Sequence, residues 1–303
     1  MDNQRGIGLM LCAILIFSAQ DAISKHLALH YSPFFVVMLR YWFFALFVVV
    51  LAASQAGGLR AAASSQQPLL QCFRGVVLAF EIVVMITGFA ALGLAATHAV
   101  FAVFPLLVTV LAGPILGERI GWRRWCAVAL GFVGMLIIVR PGIGVFDPRA
   151  FYALAAAALF AVYQLSTRLV SRTDSAATSL FYTGVAGGVA ITLVGPFFWD
   201  PMVGWDWGWM LLLCIAGMSG HFFLIQALAT AEASVIQPFT FLQLVFASLV
   251  GIVIFGETVD GPMILGTILI VAGGLFTFWR ERVKRVGHHR APSAPGTAGR
   301  QSP

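Results

Sequence analysis

Charge is scarce in this 303-residue chain: Asp, Glu, Lys and Arg together make up 10% of it, against 60% hydrophobic residues. A soluble domain needs a much larger polar complement to cover its surface, so the chain is read as an integral membrane protein. Cysteine is limited to Cys12, Cys72, Cys126 and Cys214, all within or beside apolar stretches and without metal-ligand spacing. They are assigned to packing, and no metal or organic cofactor is expected. A Gly-x-x-x-x-Gly-Lys-Ser/Thr loop is missing, which leaves ATP-driven transport by this chain unsupported. Acidic residues number only 12 against 18 lysines and arginines. The basic excess follows loop position and has no recognition motif around it, so no nucleic-acid partner is expected. The first apolar stretch is too long for a cleavable signal and lacks a small-residue cleavage site, so it is expected to stay as a span.

Ten apolar stretches fill most of the chain. A helical span needs about 20 mostly apolar residues. The stretches run over 6–27, 33–53, 69–92, 96–116, 122–139, 149–170, 176–199, 207–229, 233–255 and 262–279. They are about twice the length of a barrel strand and show no in-and-out alternation, so the fold class is an all-α membrane protein with ten transmembrane helices. Basic residues cluster on one side of this arrangement, from Arg5, Arg60, Arg74, Arg119, Arg123 and Arg124 through Arg168 and Arg172 to the run beginning at Arg280. The opposite side receives only Lys25, Arg140 and Arg149. Both termini are therefore expected in the cytoplasm. Residues 287–303, rich in Arg, Pro, Ser and Gly, read as a disordered cytoplasmic tail. Trp199, Trp205, Trp207 and Trp209 read as an interfacial aromatic belt.

The spans fall into two related sets of five, 1–142 and 143–286. Phe17-Ser-Ala-Gln-Asp-Ala-Ile-Ser-Lys25 in span one parallels Phe160-Ala-Val-Tyr-Gln-Leu-Ser-Thr-Arg168 in span six, and Gly117-Glu118 after span four parallels Gly256-Glu257 after span nine. An odd number of spans per repeat forces the second copy to enter the membrane in the opposite sense. Inverted repeats of this kind place a substrate site between the halves near the midplane and open it alternately to each side.

In these motifs the chain resembles the drug/metabolite transporter superfamily, specifically its ten-helix EamA-type carriers. The residues that carry the resemblance are Phe104-Pro105-Leu106-Leu107, Leu116-Gly117-Glu118-Arg119 and the glycine-spotted segment from Gly131 to Gly142. In the second half they are Gly256-Glu257-Thr258 and the segment from Gly261 to Gly274. Within the superfamily it looks most like the YddG-type amino-acid exporters. The resemblance implies a basket of helices around a central cavity, walled by spans three, four, eight and nine with one and six contributing. It also implies that the small-residue spans five and ten form an outer scaffold.

Polar groups deep in spans are costly in lipid and tend to face such a cavity. Gln20 and Asp21 in span one, and Tyr163 and Gln164 at the matching place in span six, are candidate substrate or proton contacts or an interhelical hydrogen-bond pair. Glu81 in span three either neutralises Arg40 or faces the cavity with Met85 and Gly88 on its face, leaving room for an ammonium group. His221 in span eight is the repeat partner of Met85. His98, Phe101, Gln237, Phe241 and Gln243 come from spans four and nine, and Trp42 joins the aromatics that could stack an apolar substrate. Pro105 and Pro238 are expected to bend gating helices, because proline frees a carbonyl one turn back. Asp21, Glu81 and His221 are the candidates for proton coupling.

A serine-protease reading of Gly217-Met-Ser-Gly220 lacks a histidine on a later span, and a channel lacks a ring of pore-lining charge. The expectation is a monomeric secondary transporter, not an enzyme, in the bacterial inner membrane. It would move amino acids or similar small metabolites, aromatic or other neutral ones, outward by alternating access. A riboflavin, S-adenosylmethionine or cationic-drug carrier is the alternative.

Overall fold

A computed structural model of the chain describes residues 3–55, 57–117, 122–139, 147–230, 239 and 241–289. All regular structure among the described residues is helical. The first half holds α1 (Asn3–Ala28), α2 (Pro33–Ser54), the short α3 (Gly58–Ala62), α4 (Pro68–Leu92), α5 (Leu94–Phe101), α6 (Phe104–Leu116) and α7 (Trp122–Val139). The second holds α8 (Ala150–Val170), α9 (Ala176–Val194) with a 3-10 turn at Gly195–Phe198, α10 (Asp206–Thr230), α11 (Phe241–Phe255) and α12 (Gly261–His289). Seven spans are long and apolar enough to cross a bilayer, counting Leu94–Ile115 as one, and three shorter apolar helices lie in α7, α11 and α12.

Two expectations need correction. The fourth span is not one helix: α5 ends at Phe101, and α6 restarts at Phe104 with Pro105 in its first turn. Proline has no N–H to give and is well placed only at a helix start, so a break ahead of Pro105 follows from its chemistry. The last helix continues to His289, three residues into the expected tail. Residues 233–238 and 240 of the ninth span, with Gln237 and Pro238, lie outside the described residues, as do Glu118 and Arg119.

The packing shows the two-fold relation of the halves directly. α1 lies along α10 as α8 lies along α4; α6 meets α8 as α11 meets α1; α4 meets α9 as α10 meets α2. The pairs α2–α9 and α7–α12 are their own counterparts. The copies run in opposite senses. Near the end of α1, Lys25 reaches Glu257 beyond α11, which also binds the start of α5. At this same end Arg149, just ahead of α8, donates from Nη1 to the Ala91 carbonyl near the end of α4, at 2.9 Å. α1 therefore finishes where its counterpart α8 begins.

Small residues set the outer scaffold. A Cβ on Gly134 of α7 would lie 2.6 Å from the Gly266 carbonyl of α12, and one on Gly273 would lie 2.7 Å from the Ala127 carbonyl. Such backbone approach is the usual way helices associate where lipid supplies no hydrophobic drive. The four belt tryptophans are all exposed, around the end of the bundle that carries Lys25.

Candidate functional site

The interior polar residues gather on α1, α2, α4, α5, α8 and α11. Asp21 is the hub. Its Oδ2 lies 3.0 Å from His98 Nε2 of α5 and accepts from Gln243 Nε2 of α11 at 3.1 Å. One buried carboxylate thus ties both repeats together, and His98 is fixed further by stacking on Phe89, with ring centroids 5.3 Å apart. At the adjoining residue of α1, Arg40 Nη2 donates to Gln20 Oε1 at 3.3 Å. Gly217 of α10 leaves the space for this contact, since a Cβ there would lie 3.1 Å from Gln20 Oε1 and 3.4 Å from Arg40 Nη2.

Glu81 sits at the middle of α4 and is 4% exposed. It makes no ion pair with Arg40 and no hydrogen bond among the described residues, although the fields of Arg40 and Asp21 reach it. The neutralising pair weighed from sequence is therefore not formed. Met85, on the same helix, is packed into the hydrophobic core with Phe35, Phe89 and Leu94.

An aromatic ladder continues from the hub. Phe101 contacts Phe104 and Phe160 at centroid distances of 5.1 and 5.5 Å, and Phe160 stacks on Tyr163 at 5.8 Å. Tyr163 leads to Arg74, which is 2% exposed. Arg74 Nη1 donates to Tyr163 Oη at 3.3 Å and to Thr167 Oγ1 at 3.2 Å; Nη2 donates to Thr183 Oγ1 at 2.7 Å and to the Ser179 carbonyl. Gln164, half-buried, makes no hydrogen bond among the described residues.

Two candidates stand apart, and the side chain of a third lies outside the described residues. Trp42 is 43% exposed and points outward, its Nε1 donating to Thr192 Oγ1 of α9 at 2.8 Å. With Ala45, Val185, Gly188, Val189 and Thr192 it lines an open groove of about 470 Å³ between α2 and α9, almost wholly apolar. That surface suits lipid rather than a polar substrate. The ring of Phe241 packs against Gly274 of α12, on the scaffold side. His221 lies in α10, with its side chain outside the described set.

One end of the bundle is tied together by a buried ion pair. Lys25, expected at the outer end of span one, is a buried residue of α1 whose Nζ donates to Glu257 Oε1 and lies 4.1 Å from the centroid of the Phe255 ring. Glu257 also accepts the Leu94 N–H at 2.7 Å and the Ala95 N–H at 2.9 Å, which caps α5. Gly93, at φ 99°, makes the turn and leaves room for the carboxylate, which a Cβ would approach to 2.9 Å. At the same end Tyr31 Oη donates to Asp206 Oδ2 at 2.7 Å. At the opposite end Asp174 accepts from Ser65, from the Gln66 N–H and from Gln71, joining the α8–α9 loop to the start of α4. These bonds hold its carboxyl below the usual carboxylate range.

Paired helices of opposite sense around a polar interior are the architecture of a carrier. The EamA-like transporter family matches residues 4–140 and 148–279, one match per repeat. The chain belongs to that family. Among curated relatives of this EamA-like protein, the S-adenosylmethionine uptake transporter of Rickettsia felis is 26% identical over 280 residues, covering 91% of this chain and 93% of the relative. A riboflavin transporter of Vibrio cholerae is 30% identical over 191 residues, covering 60% of this chain and 61% of the relative. A solved crystal structure superposes with a TM-score of 0.61 at 18% identity, covering 93% of this chain and 99% of that one, and so shares the fold. This EamA-like chain is a multi-pass transporter of small metabolites in the bacterial inner membrane, not an enzyme.

Several residues that shape the chamber escaped the sequence reading. Arg74 follows the polar stretch ending at Gln71 and looked like a loop charge; its spacing of seven from Glu81, which puts both on one helix face, was the available signal. Phe160 and Phe104 were hidden among 26 phenylalanines.

Proposed function

We propose that this EamA-like chain carries metabolites that bear an amino-acid head group, with S-adenosylmethionine the first to test and neutral aromatic amino acids second. The observation that carries the reading is a cluster of mixed-charge, largely buried side chains drawn from both repeats. In it Asp21 joins α5 to α11, with Gln20, Arg40 and Glu81 beside it and an aromatic ladder along α5, α6 and α8. Opposite charges suit a zwitterionic head, while stacked rings suit an apolar or planar remainder. Relatives that align along nearly the whole chain and are named for S-adenosylmethionine uptake favour the same head group.

In this reading the two repeats, 1–142 and 143–286, rock against each other about the chamber. The termini and the Asp174 end are placed in the cytoplasm, which Arg60, Arg168 and Arg172 at that end favour. The Lys25 end then faces outward, and the structure represents a state closed on that side. Net direction follows the summed gradients, so export of an amino acid and uptake of a cationic metabolite are one cycle run in opposite senses.

The test is initial-rate uptake by the purified chain in liposomes of labelled S-adenosylmethionine, phenylalanine, methionine and riboflavin. The reading expects saturable flux of at least one amino-acid-headed compound, lowered by Asp21→Asn or Phe160→Ala. Flux of riboflavin alone moves the chain to a different substrate class.

A further inference from the structure

The charged groups of the interior are almost all engaged. Asp21 is held by His98 and Gln243, Lys25 by Glu257, and Arg74 by four acceptors. Arg40 and Glu81 remain, and they have opposite signs. Glu81 is buried at the midpoint of a 25-residue span and makes no hydrogen bond among the described residues. Arg40 spends one of its five N–H groups on a single bond to Gln20. A carboxylate in an apolar bundle is stabilised by a donor or an opposite charge, and Arg40 is the opposite charge whose field reaches Glu81. A third unsatisfied group lies close by. Tyr41 Oη is buried with no hydrogen-bond partner among the described residues, and the fields of Arg40, Glu81, Tyr163 and Arg74 reach it.

We propose that Arg40 and Glu81 form the head-group clamp of the carrier, with Arg40 taking the substrate carboxylate and Glu81 its α-ammonium. This deepens the amino-acid-head reading and rests on it. A guanidinium presents a planar fork that matches a carboxylate, while a carboxylate in low dielectric binds an ammonium through charged hydrogen bonds. The contact to Gln20 aims the fork, and Gly217 keeps the floor of the site clear, as a side chain there would meet both Gln20 and Arg40. The clamp is an opposite-charge pair held apart by its surroundings and joined only through a ligand that carries both charges. A compound with one charge leaves one buried group unpaired, which is how a polar site rejects analogues.

Binding to the full-length chain in lipid nanodiscs tests this with phenylalanine, 2-phenylethylamine, which lacks the carboxylate, and 3-phenylpropanoate, which lacks the amine. S-adenosylmethionine and its decarboxylated form make a second series. Wild type is expected to prefer the complete head group over either truncation by roughly tenfold or more, the worth of one charged hydrogen bond. Arg40→Gln then abolishes discrimination against the compounds without a carboxylate and keeps discrimination against 3-phenylpropanoate; Glu81→Gln does the reverse. Arg40→Lys and Glu81→Asp keep both charges and retain part of each preference, which covers failure of a neutral variant to fold. Equal weakening of every compound by either variant, or a wild type indifferent to truncation, overturns the clamp. Binding of none of the intact head groups by wild type overturns the substrate reading as well, so the two failures are told apart.

Discussion

Glu257→Gln strands Lys25, and the cost of that change can be worked from the structure. The two side chains are 13% and 8% exposed, which puts the pair in the buried regime. There, loss of one partner costs about 3–5 kcal/mol because the other charge is left uncompensated, whereas an exposed pair is worth about 0–1 kcal/mol. The Phe255 ring near Lys25 Nζ offers a cation–π contact of about 0.5–2 kcal/mol that is already present in the wild type, so it does not fill the gap. Glutamine also keeps only one oxygen for the Leu94 and Ala95 N–H groups, which loses a further bond worth about 0.5–1.5 kcal/mol. Lys25→Met with Glu257→Gln removes both charges together and should recover most of the loss. The assay is thermal unfolding in nanodiscs of wild type, both single variants and the double variant. One kcal/mol is about 2–4 °C in chains of 150–250 residues and somewhat less in this longer one, so Glu257→Gln should lower the midpoint by several degrees. A coupling energy between the two sites below about 1 kcal/mol would refute the reasoning.

Three further outcomes follow from the same geometry. Arg74→Lys replaces a fork that spans Tyr163, Thr167, Ser179 and Thr183 with a single point charge, so unfolding should show a loss of about 1.5–3 kcal/mol or more; an unchanged midpoint contradicts the network. Asp174 has its folded pKa depressed by its Ser65 and Gln71 hydrogen bonds. Its stabilisation is therefore fully present above the unfolded value of about 3.9 and is lost as pH falls through the lower folded value, so Asp174→Asn should flatten the acid limb of a midpoint-versus-pH curve. Gly134→Leu drives a side chain into the Gly266 carbonyl and should cost about 1–3 kcal/mol or more, while Gly8→Leu, with nothing within 4 Å of its Cβ position, should stay within about 0.5 kcal/mol; equal effects at the two positions would remove the scaffold role of the α7–α12 contact.

Hydropathy made the spans legible because lipid forces every crossing segment to be long, apolar and helical, and the seventh helix matches its expected range of 122–139. The break before Pro105 was signalled only as a bend, since proline marks the place but not whether neighbouring helices keep the two pieces in line. Asp21 and His98 were each visible as costly residues in a span. Their bond joins positions 77 apart in sequence, and no periodicity encodes a contact between separate helices. Lys25 was legible as the outer end of span one, but not its partner, since the pair joins it to Glu257, 232 positions away. Trp42 shows the converse. An aromatic in a span looks the same whether it faces the interior or the lipid, and only the packing of α2 on α9 turns it outward.

The central claim is that one chamber serves both sides in turn. Vesicles holding the full-length chain, preloaded with unlabelled S-adenosylmethionine or phenylalanine, should take up the labelled compound faster than empty vesicles do, because a loaded carrier returns faster than an empty one. Saturable uptake accelerated from the far side, and lost in Asp21→Asn, is the predicted result. Non-saturating flux indifferent to preloading would contradict the carrier account.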